Sequence, residues 1–554
     1  MHLRSLVACV SAALAGTIHA SGDVERHVVF RVGMEAAGFP AGSTISFSNP
    51  GPFRPAINNR GHVAVTGLVT GPEVPTESNE AIWLASRSGL TLVLRENDPF
   101  PAISGDVRFS SWLVLGIGDD DAIVILATLR GEVTGANDSA LCRVRPGASV
   151  EVLARTGDTI DDVPESPVWS SFQRPFGFRT PVNTPGEVAI RAVTSDGRSD
   201  WYASRAGALQ RLAGSNQPVM DAPEGTTVGI LSLVGWSDSG IALFYATLTG
   251  GGTTPANDTG VVAATAEGLR LCLREGDPIP EWPSATVGSF QSPSNLAYAA
   301  DTEFFAFGLI INGPTQAIWT GTIDEPTILV RRTDPVPGVN ATFESLFWFE
   351  GGPEGNAFCA NMNIGGSGAW VERDGEIVTL CRPGLPAPET EPGVTFSSIS
   401  SLGNDGPLRL GRFGRAAFAA NLVGSPGSRA VYQTDVAGTA RRVLRIGDVM
   451  EWNAGPLTIT SIDEINLSSL GHLAVRANQA ASAIVAAKVG CPAAGCDNVD
   501  FDGDCRVTIE DLSTLLAHFG EAGLDPFGDA DRDHDVDLQD LARVLAAFGS
   551  DCRQ

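Results

Sequence analysis

The chain is almost without lysine: Lys488 is the only one, and the 37 Lys+Arg residues are otherwise arginine. Schiff-base chemistry and a phosphate-cradling loop each need a lysine at a defined place, so neither can be built away from that one position. Histidine is scarce too. Beyond residue 20 there are His27, His62, His472, His518 and His534, with no HExxH pair and no GxSxG elbow. No base is left for a serine triad, and His62 and His472 follow the same glycine turn in two different repeats, a structural slot. Basic charge is short: 64 Asp+Glu outweigh the cations, for a net charge of −27. Phosphate backbones would be repelled, which excludes nucleic acid as a partner. No apolar run past the first twenty residues approaches the roughly 18 residues a membrane span needs. No long segment of 3.6-residue period occurs before residue 505, so the bulk of the chain is not helical.

What is present begins with an address. Arg4 supplies a positive start, Leu6 to Ile18 is mostly apolar, and Ile18-His19-Ala20 is a cleavage site. Residues 1–20 therefore read as a secretory signal, and the mature protein as secreted or held at the cell surface. Leu6-Val7-Ala8-Cys9 imitates a lipoprotein box, but no apolar run precedes it. Of nine cysteines, eight lie beyond Cys9, and Cys491, Cys496, Cys505 and Cys552 crowd the C-terminus. In an exported chain the default for these is disulfides. Four cysteines allow three pairings; a Cys496–Cys552 bridge would clasp the module's ends, but the sequence does not choose. Zinc is the weaker account, because the spacings match no common finger.

Residues 21–490 are a tandem array. A turn followed by an apolar strand occurs eight times, at Gly61, Asp121, Gly186, Gly240, Glu303, Gly355, Gly414 and Gly471, 52 to 65 residues apart. A second apolar strand follows, carrying Trp83, Cys142, Tyr202, Val262, Trp319, Trp370, Tyr432 or Val485. A third ends in an Arg–Asp turn, as in LREND to Asp98, ARTGD to Asp158, LREGD to Asp277, RRTD to Asp334 and LRIGD to Asp448. A fourth, such as TISFS, VRFSS or TFSSI, opens each unit. Short alternating strands punctuated by 63 Gly and 35 Pro are a β signature.

One four-stranded sheet cannot bury both faces, whereas sheets stacked radially can. The expected fold is thus mainly β: an eight-bladed β-propeller, or a seven-bladed one if the short sixth unit is not a blade. The third strand is missing after Val485, and its copy, HVVFRVGM, stands at the N-terminus from His27. The N-terminal strand is expected to complete the last blade, pairing residues 27–33 with 482–489 and closing the ring. The recurrence of Asp98, Asp158, Asp277, Asp334 and Asp448 at one turn position favours a structural role over a glycosidase acid pair, and Glu96 and Glu275 fall under the same argument. The tryptophans of the second strand, sharing one slot, point to core packing rather than a sugar platform. The loops at Asn137-Asp138 and Asn257-Asp258 are near copies; Asx-turns explain them more simply than a second kind of cation site.

Residues 491–554 form a different module. DFDGDCRVTIED, Asp500 to Asp511, is written again as DADRDHDVDLQD, Asp529 to Asp540, 29 residues on, and each copy runs into an apolar helix. Oxygen donors at positions 1, 3, 5, 7, 9 and 12 of such a loop suit Ca²⁺, a hard cation that takes about six to eight oxygens. The candidates are Asp500, Asp502, Asp504, the carbonyl of Arg506, Thr508 and Asp511, then Asp529, Asp531, Asp533, the carbonyl of Asp535, Asp537 and Asp540. Two Ca²⁺ ions are expected, the second loop binding more tightly.

This pair resembles an EF-hand-like type I dockerin over roughly Cys491 to Cys552: Asp at position 12, Val507 and Val536 at position 8, and a Leu-rich helix after each loop. Gly495-Cys496 and Cys552 look like the cysteine-clasped dockerins of planctomycete secreted proteins. The resemblance implies attachment to a cohesin-like or cell-surface partner through residues 491–552. Position 6, normally Gly, is Cys505 and His534, and positions 10 and 11 are Ile509-Glu510 and Leu538-Gln539 where cohesin-binding dockerins often have Ser-Thr. The array, in turn, resembles tandem NxxGxxAF-type repeat proteins, as in Asn58 to Val65, a family that implies no reaction. Together these features favour an exported, non-catalytic protein that presents a ligand face of unknown specificity. The alternative is a carbohydrate-active enzyme, a glycoside hydrolase or polysaccharide lyase, carrying a dockerin.

Overall fold

The computed structural model describes residues 24–553 except 47–54, 102, 104, 161–166, 174–181, 206, 280–281, 289–295, 299–304, 312–314, 353–354, 403–405, 426, 452–454, 479–482, 492–495, 497 and 523–525. The signal read at 1–20 and the turn at Glu303 lie outside the described residues. Contacts divide the chain into a large unit, Arg26–Thr434 with Gly438–Lys488, and a small one built chiefly of Val489–Gln554.

The large unit is a mainly β propeller. Its described residues form eight sheets of four or five strands and two two-stranded ribbons. Each sheet holds one repeat, the last completed by the N-terminal strand, and the repeat's successive strands pair antiparallel, with Val219–Met220 added parallel to Gly268–Arg274 in the fourth. In the first, Thr44–Ser46, Val63–Thr70, Glu80–Ser86 and Gly89–Arg95 lie side by side. The short sixth repeat also makes four strands, Phe343–Gly352, Gly355–Met362, Ser367–Arg373 and Glu376–Cys381.

Period-two alternation sends successive side chains to opposite faces, and here each face meets a different neighbour. Trp370 packs with Ile318 and Phe343 on the side of the fifth repeat, while Ala369 and Val371 pack with Phe396 and Tyr432 of the seventh. Ala317 and Trp319 join Leu243 and Val261 of the fourth. The broad faces of these sheets thus meet neighbouring sheets, and a central strand such as Ala242–Thr249 is buried along most of its length. Trp83, Trp319 and Trp370 are fully buried, as is Cys142, so the tryptophan slot is core.

The ring closes on the N-terminal strand. Val24–Arg31 lies beside Ala483–Val489 at the outer end of the last sheet, followed by His472–Ala477 and Ile462–Leu467. Phe30, Ala474 and Ile484 then pack against Val65 and Trp83 of the first repeat. Turns add polar links between repeats. Asn59 Nδ2 donates to Asp119 Oδ2 at 2.8 Å, Asp119 N to Thr184 O at 2.9 Å, Thr184 N to Asp238 Oδ1 at 2.7 Å, and Leu470 N back to Asn59 Oδ1 at 2.9 Å.

The Arg–Asp turns are structural. The Oδ2 atoms of Asp98, Asp334 and Asp448 accept from the backbone N–H of Arg95, Arg331 and Arg445, each at 2.8 Å. Glu96 pairs with Arg130 of the next repeat at 3.3 Å, and Glu275 accepts from Thr259 Oγ1 at 2.6 Å. In the Asn137 and Asn257 loops the side chains reach back, their oxygens accepting from Thr134 N and Thr254 N three residues earlier at 2.7 and 2.6 Å, where an Asx-turn would bond two residues on.

The small unit holds two short helices, α1 (Ile509–Ala517) and α2 (Leu538–Ala547). Each starts with a capping box, Thr508 with Asp511 and Asp537 with Asp540, which satisfies orphan N–H groups at the first turn. The core repeats with the 29-residue offset: Val507 and Leu515 face Val536 and Val544 in one cluster. Position-8 valines do not pair with each other. Val507 N donates to Ser550 O at 3.0 Å after α2, and Val536 N to Glu521 O at 2.9 Å after α1. The cysteines pair as Cys491–Cys505 and Cys496–Cys552. The other four, Cys142, Cys272, Cys359 and Cys381, are free and buried in sheet cores, where a thiol packs as a small apolar group.

Candidate metal centre

The two acidic loops are built alike, residue for residue. The position-1 carboxylates rest on two backbone donors each. Asp500 Oδ1 accepts from Gly503 N at 2.9 Å and Oδ2 from Cys505 N at 3.0 Å. Asp529 Oδ1 accepts from Arg532 N at 2.5 Å and Oδ2 from His534 N at 2.9 Å. The position-12 carboxylates, Asp511 and Asp540, are fully buried. Asp511 Oδ1 accepts from Phe501 N at 2.7 Å and Oδ2 from Thr508 N at 2.8 Å; Asp540 accepts from Ala530 N and Asp537 N, both at 2.7 Å. Thus one carboxylate ties the loop's start to the helix that follows it.

These bonds leave a convergence of acids. Asp500, Asp502 and Asp504 bring oxygens within 4.8 Å of one another, as do Asp529, Asp531 and Asp540, and Asp535, Asp537 and Asp540. Asp533 Oδ1 accepts from Asp535 N at 3.3 Å. Burial, then the charges of Asp511, Asp504 and Asp500, push the Asp502 carboxyl up to about 7. Asp511, Asp531 and Asp535 are pushed upward by burial, with neighbouring carboxylates adding to the rise. Like charges held this close disfavour ionisation unless a cation offsets them. Asp531 Oδ1 and Asp535 Oδ1 are buried with no hydrogen-bond partner among the described residues. Such orphaned oxygens fit a hard cation, and the all-oxygen donor set fits Ca²⁺ better than a softer metal. Cys491 and Cys505 lie against Asp500, but their sulfurs are joined in a disulfide, which removes them as thiolate ligands for zinc.

Two expected donors have other work. Thr508 Oγ1 accepts from Glu510 N at 3.3 Å as the cap of α1, and Asp537 Oδ1 accepts from Gln539 N at 2.6 Å as the cap of α2. For position 7, Asp535 contributes its carboxylate to the second cluster, whereas the Arg506 side chain turns to Asp551.

Position 6 is where the sequence raised an objection. A calcium loop needs φ > 0 there, which glycine meets most easily. Cys505 and His534 nevertheless adopt φ of 61° and 76°. The composition at that position did not reveal the conformation; the matching spacing on both sides did.

A further repeated feature escaped sequence reasoning. Ile509, Leu516 and Phe519 are exposed, and so are Leu538, Leu545 and Phe548. Each is 29 positions from its counterpart, so each helix carries the same exposed apolar triplet, from its first residue to just past its last. Aligning the helices by exposure, rather than by apolar content, would have shown it.

The chain belongs to a family of unknown function (DUF7453), whose model matches residues 9–161 and 105–482. The two matches overlap, as a tandem array permits. No curated protein matches the sequence. Among solved structures, the chain is similar to the β-propeller domain of the Trilobed protease from Pyrococcus furiosus, at 9% identity, 70% of this chain, 95% of that chain and a TM-score of 0.33. It is also similar to the C-terminal WD40 domain of Sif2, at 11% identity, 83% and 98% coverage and a TM-score of 0.33. A third is a puromycin-hydrolyzing peptidase of Mycobacterium tuberculosis, at 11% identity, 67% of this chain, 50% of that chain and a TM-score of 0.33.

Proposed function

We propose that the chain is an exported, non-catalytic repeat protein whose propeller presents a binding surface and whose C-terminal unit, dockerin-like, binds two Ca²⁺ ions and attaches the protein to a partner or cell surface. One blade is assigned to each of the eight sheets. The observation that carries the reading is the duplicated loop, with its buried position-12 aspartate, its left-handed position 6 and its converging carboxylates. Asp500, Asp502, Asp504 and Asp511 would hold one ion; Asp529, Asp531, Asp535, Asp537 and Asp540 would supply the donors for the other. Bound calcium provides the positive charge that lets these carboxylates stay ionised and close. The paired apolar triplets along the helices are the surface a cohesin-like or other surface partner would cover, since repeated exposed apolar groups are costly unless something binds them.

No helix among the described residues is long and apolar enough to cross a membrane. Calorimetric titration of the full chain with Ca²⁺ tests the reading. Two sites are expected, Asp500→Ala removing one and Asp529→Ala the other. Absence of calcium-dependent heat, or two sites surviving both substitutions, rejects it.

A further inference from the structure

We propose that the Cys491–Cys505 disulfide is the positioning element of the first cation loop, doing covalently what glycine does in loops that turn freely at position 6. The inference rests on the calcium reading above and concerns how the first site is held.

Cys505 is fully buried with φ of 61°. An L-residue other than Gly, Asn or Asp meets its own Cβ against the backbone in that region, so the conformation persists only where the surroundings impose it. Three constraints converge on this residue. Its sulfur is tied to Cys491. Its N–H donates to Asp500 Oδ2 at 3.0 Å. Its carbonyl accepts from Cys552 N at 2.8 Å, and Cys552 is itself tied to Cys496. Cys496 O in turn accepts from Asp500 N at 2.9 Å. The position-1 ligand is therefore gripped at both its backbone and its carboxylate by residues that the disulfides fix.

The second loop is the internal comparison. His534 takes the same slot with φ of 76° and the same donation to Asp529 Oδ2 at 2.9 Å, and no disulfide reaches it. Opening Cys491–Cys505 should therefore weaken the first site and spare the second. The chemistry is a two-electron exchange: a dithiol reductant gives up two electrons and two protons, becomes a cyclic disulfide, and leaves Cys491 and Cys505 as thiols. By linkage, calcium bound in the first loop should shift the reduction equilibrium toward the disulfide by the same factor by which reduction weakens binding.

The test compares the full chain with Cys491→Ala/Cys505→Ala and Cys491→Ala/Cys505→Gly, titrated calorimetrically with Ca²⁺ and followed for disulfide reduction by alkylation and mass spectrometry. The Ala pair should bind at the first site about tenfold more weakly, the factor set by left-handed strain of about 1–2 kcal/mol. The Gly pair should recover wild-type affinity. In wild type, Ca²⁺ should protect Cys491–Cys505 from reduction. Melting in chelator gives a metal-free arm: the Gly pair should outlast the Ala pair. A wild type that takes two ions while both pairs bind alike overturns the proposal alone. A wild type that takes none defeats the calcium reading, and this one with it.

Discussion

Asn59 holds Asp119 by two bonds at once: its backbone N–H reaches Oδ1 at 2.9 Å and its side-chain amide reaches Oδ2 at 2.8 Å, across 60 positions of sequence. Its own Oδ1 accepts from Leu470 N and Ser469 Oγ, both at 2.9 Å. One small side chain therefore joins the first repeat to the second and to the last. Burial pushes the Asp119 carboxyl above its usual range, and the two Asn59 bonds oppose that rise most strongly. Asn59→Ala should leave a buried carboxylate and a buried N–H short of partners and cost about 2–3 kcal/mol. Urea denaturation of the variant measures it; a loss under about 0.5 kcal/mol, the size of an ordinary surface change, contradicts the linking role.

Removing residues 21–34 takes away the strand that completes the last sheet. Propeller stability depends on every sheet having both neighbours, so the deletion should lower the melting transition of the whole array rather than fray one end. Calorimetry distinguishes the two, and an unchanged transition counts against closure by this strand.

Arg409 and Glu350, on neighbouring repeats, pair at 3.5 Å with side chains only 6% and 10% exposed. Arg409→Ala strands a buried carboxylate and should cost about 3–5 kcal/mol. Replacing both, with Met at 409 and Leu at 350, should cost less than the single change, because neither charge then needs desolvating. A double variant weaker than Arg409→Ala would show that the pair stabilises beyond its desolvation.

Burial, with the Glu96 carboxylate adding to it, raises the Glu80 carboxyl from 4.5 to about 7. The folded state then holds this proton more tightly than the unfolded state. Its contribution is greatest below the unfolded value and is lost as pH rises to about 7. Glu80→Gln should flatten that fall and stabilise the protein by about 1 kcal/mol at pH 8, a figure reduced for partial solvent screening. Denaturation at pH 5 and pH 8 measures the difference; identical pH slopes in the two proteins refute it.

The purified chain should hydrolyse no plant or algal polysaccharide. The recurring acids bond their own turns, as Asp98, Asp334 and Asp448 do, and Glu96 is engaged by Arg130. Turnover abolished by replacing one acidic residue would restore the carbohydrate-active reading.

Much of this protein was written in its sequence because its information is periodic. The four-strand repeat, the burial of Trp83, Trp319 and Trp370, the turn role of the Arg–Asp pairs and the strand displaced to the N-terminus all follow from comparing repeats. Equivalent positions share an environment, so each instance checks the others. The matching build of the two acidic loops was legible for the same reason, through the 29-residue offset.

What only the tertiary structure decided are the relations between residues with no fixed spacing. Four cysteines permit three pairings, and the choice of Cys491–Cys505 depends on where the first loop folds back. Cysteine at position 6 reads as an objection until its backbone is seen in the left-handed region, held there by that bond and by Asp500. Asn59 reads as one turn residue among many until Asp119 and Leu470 are brought to either side of it. Local pattern fixes which face of a strand or helix is apolar, because that is set by backbone period. Which partner meets that face is set by ring closure and cross-linking, which act between distant parts of the chain and leave no period to read.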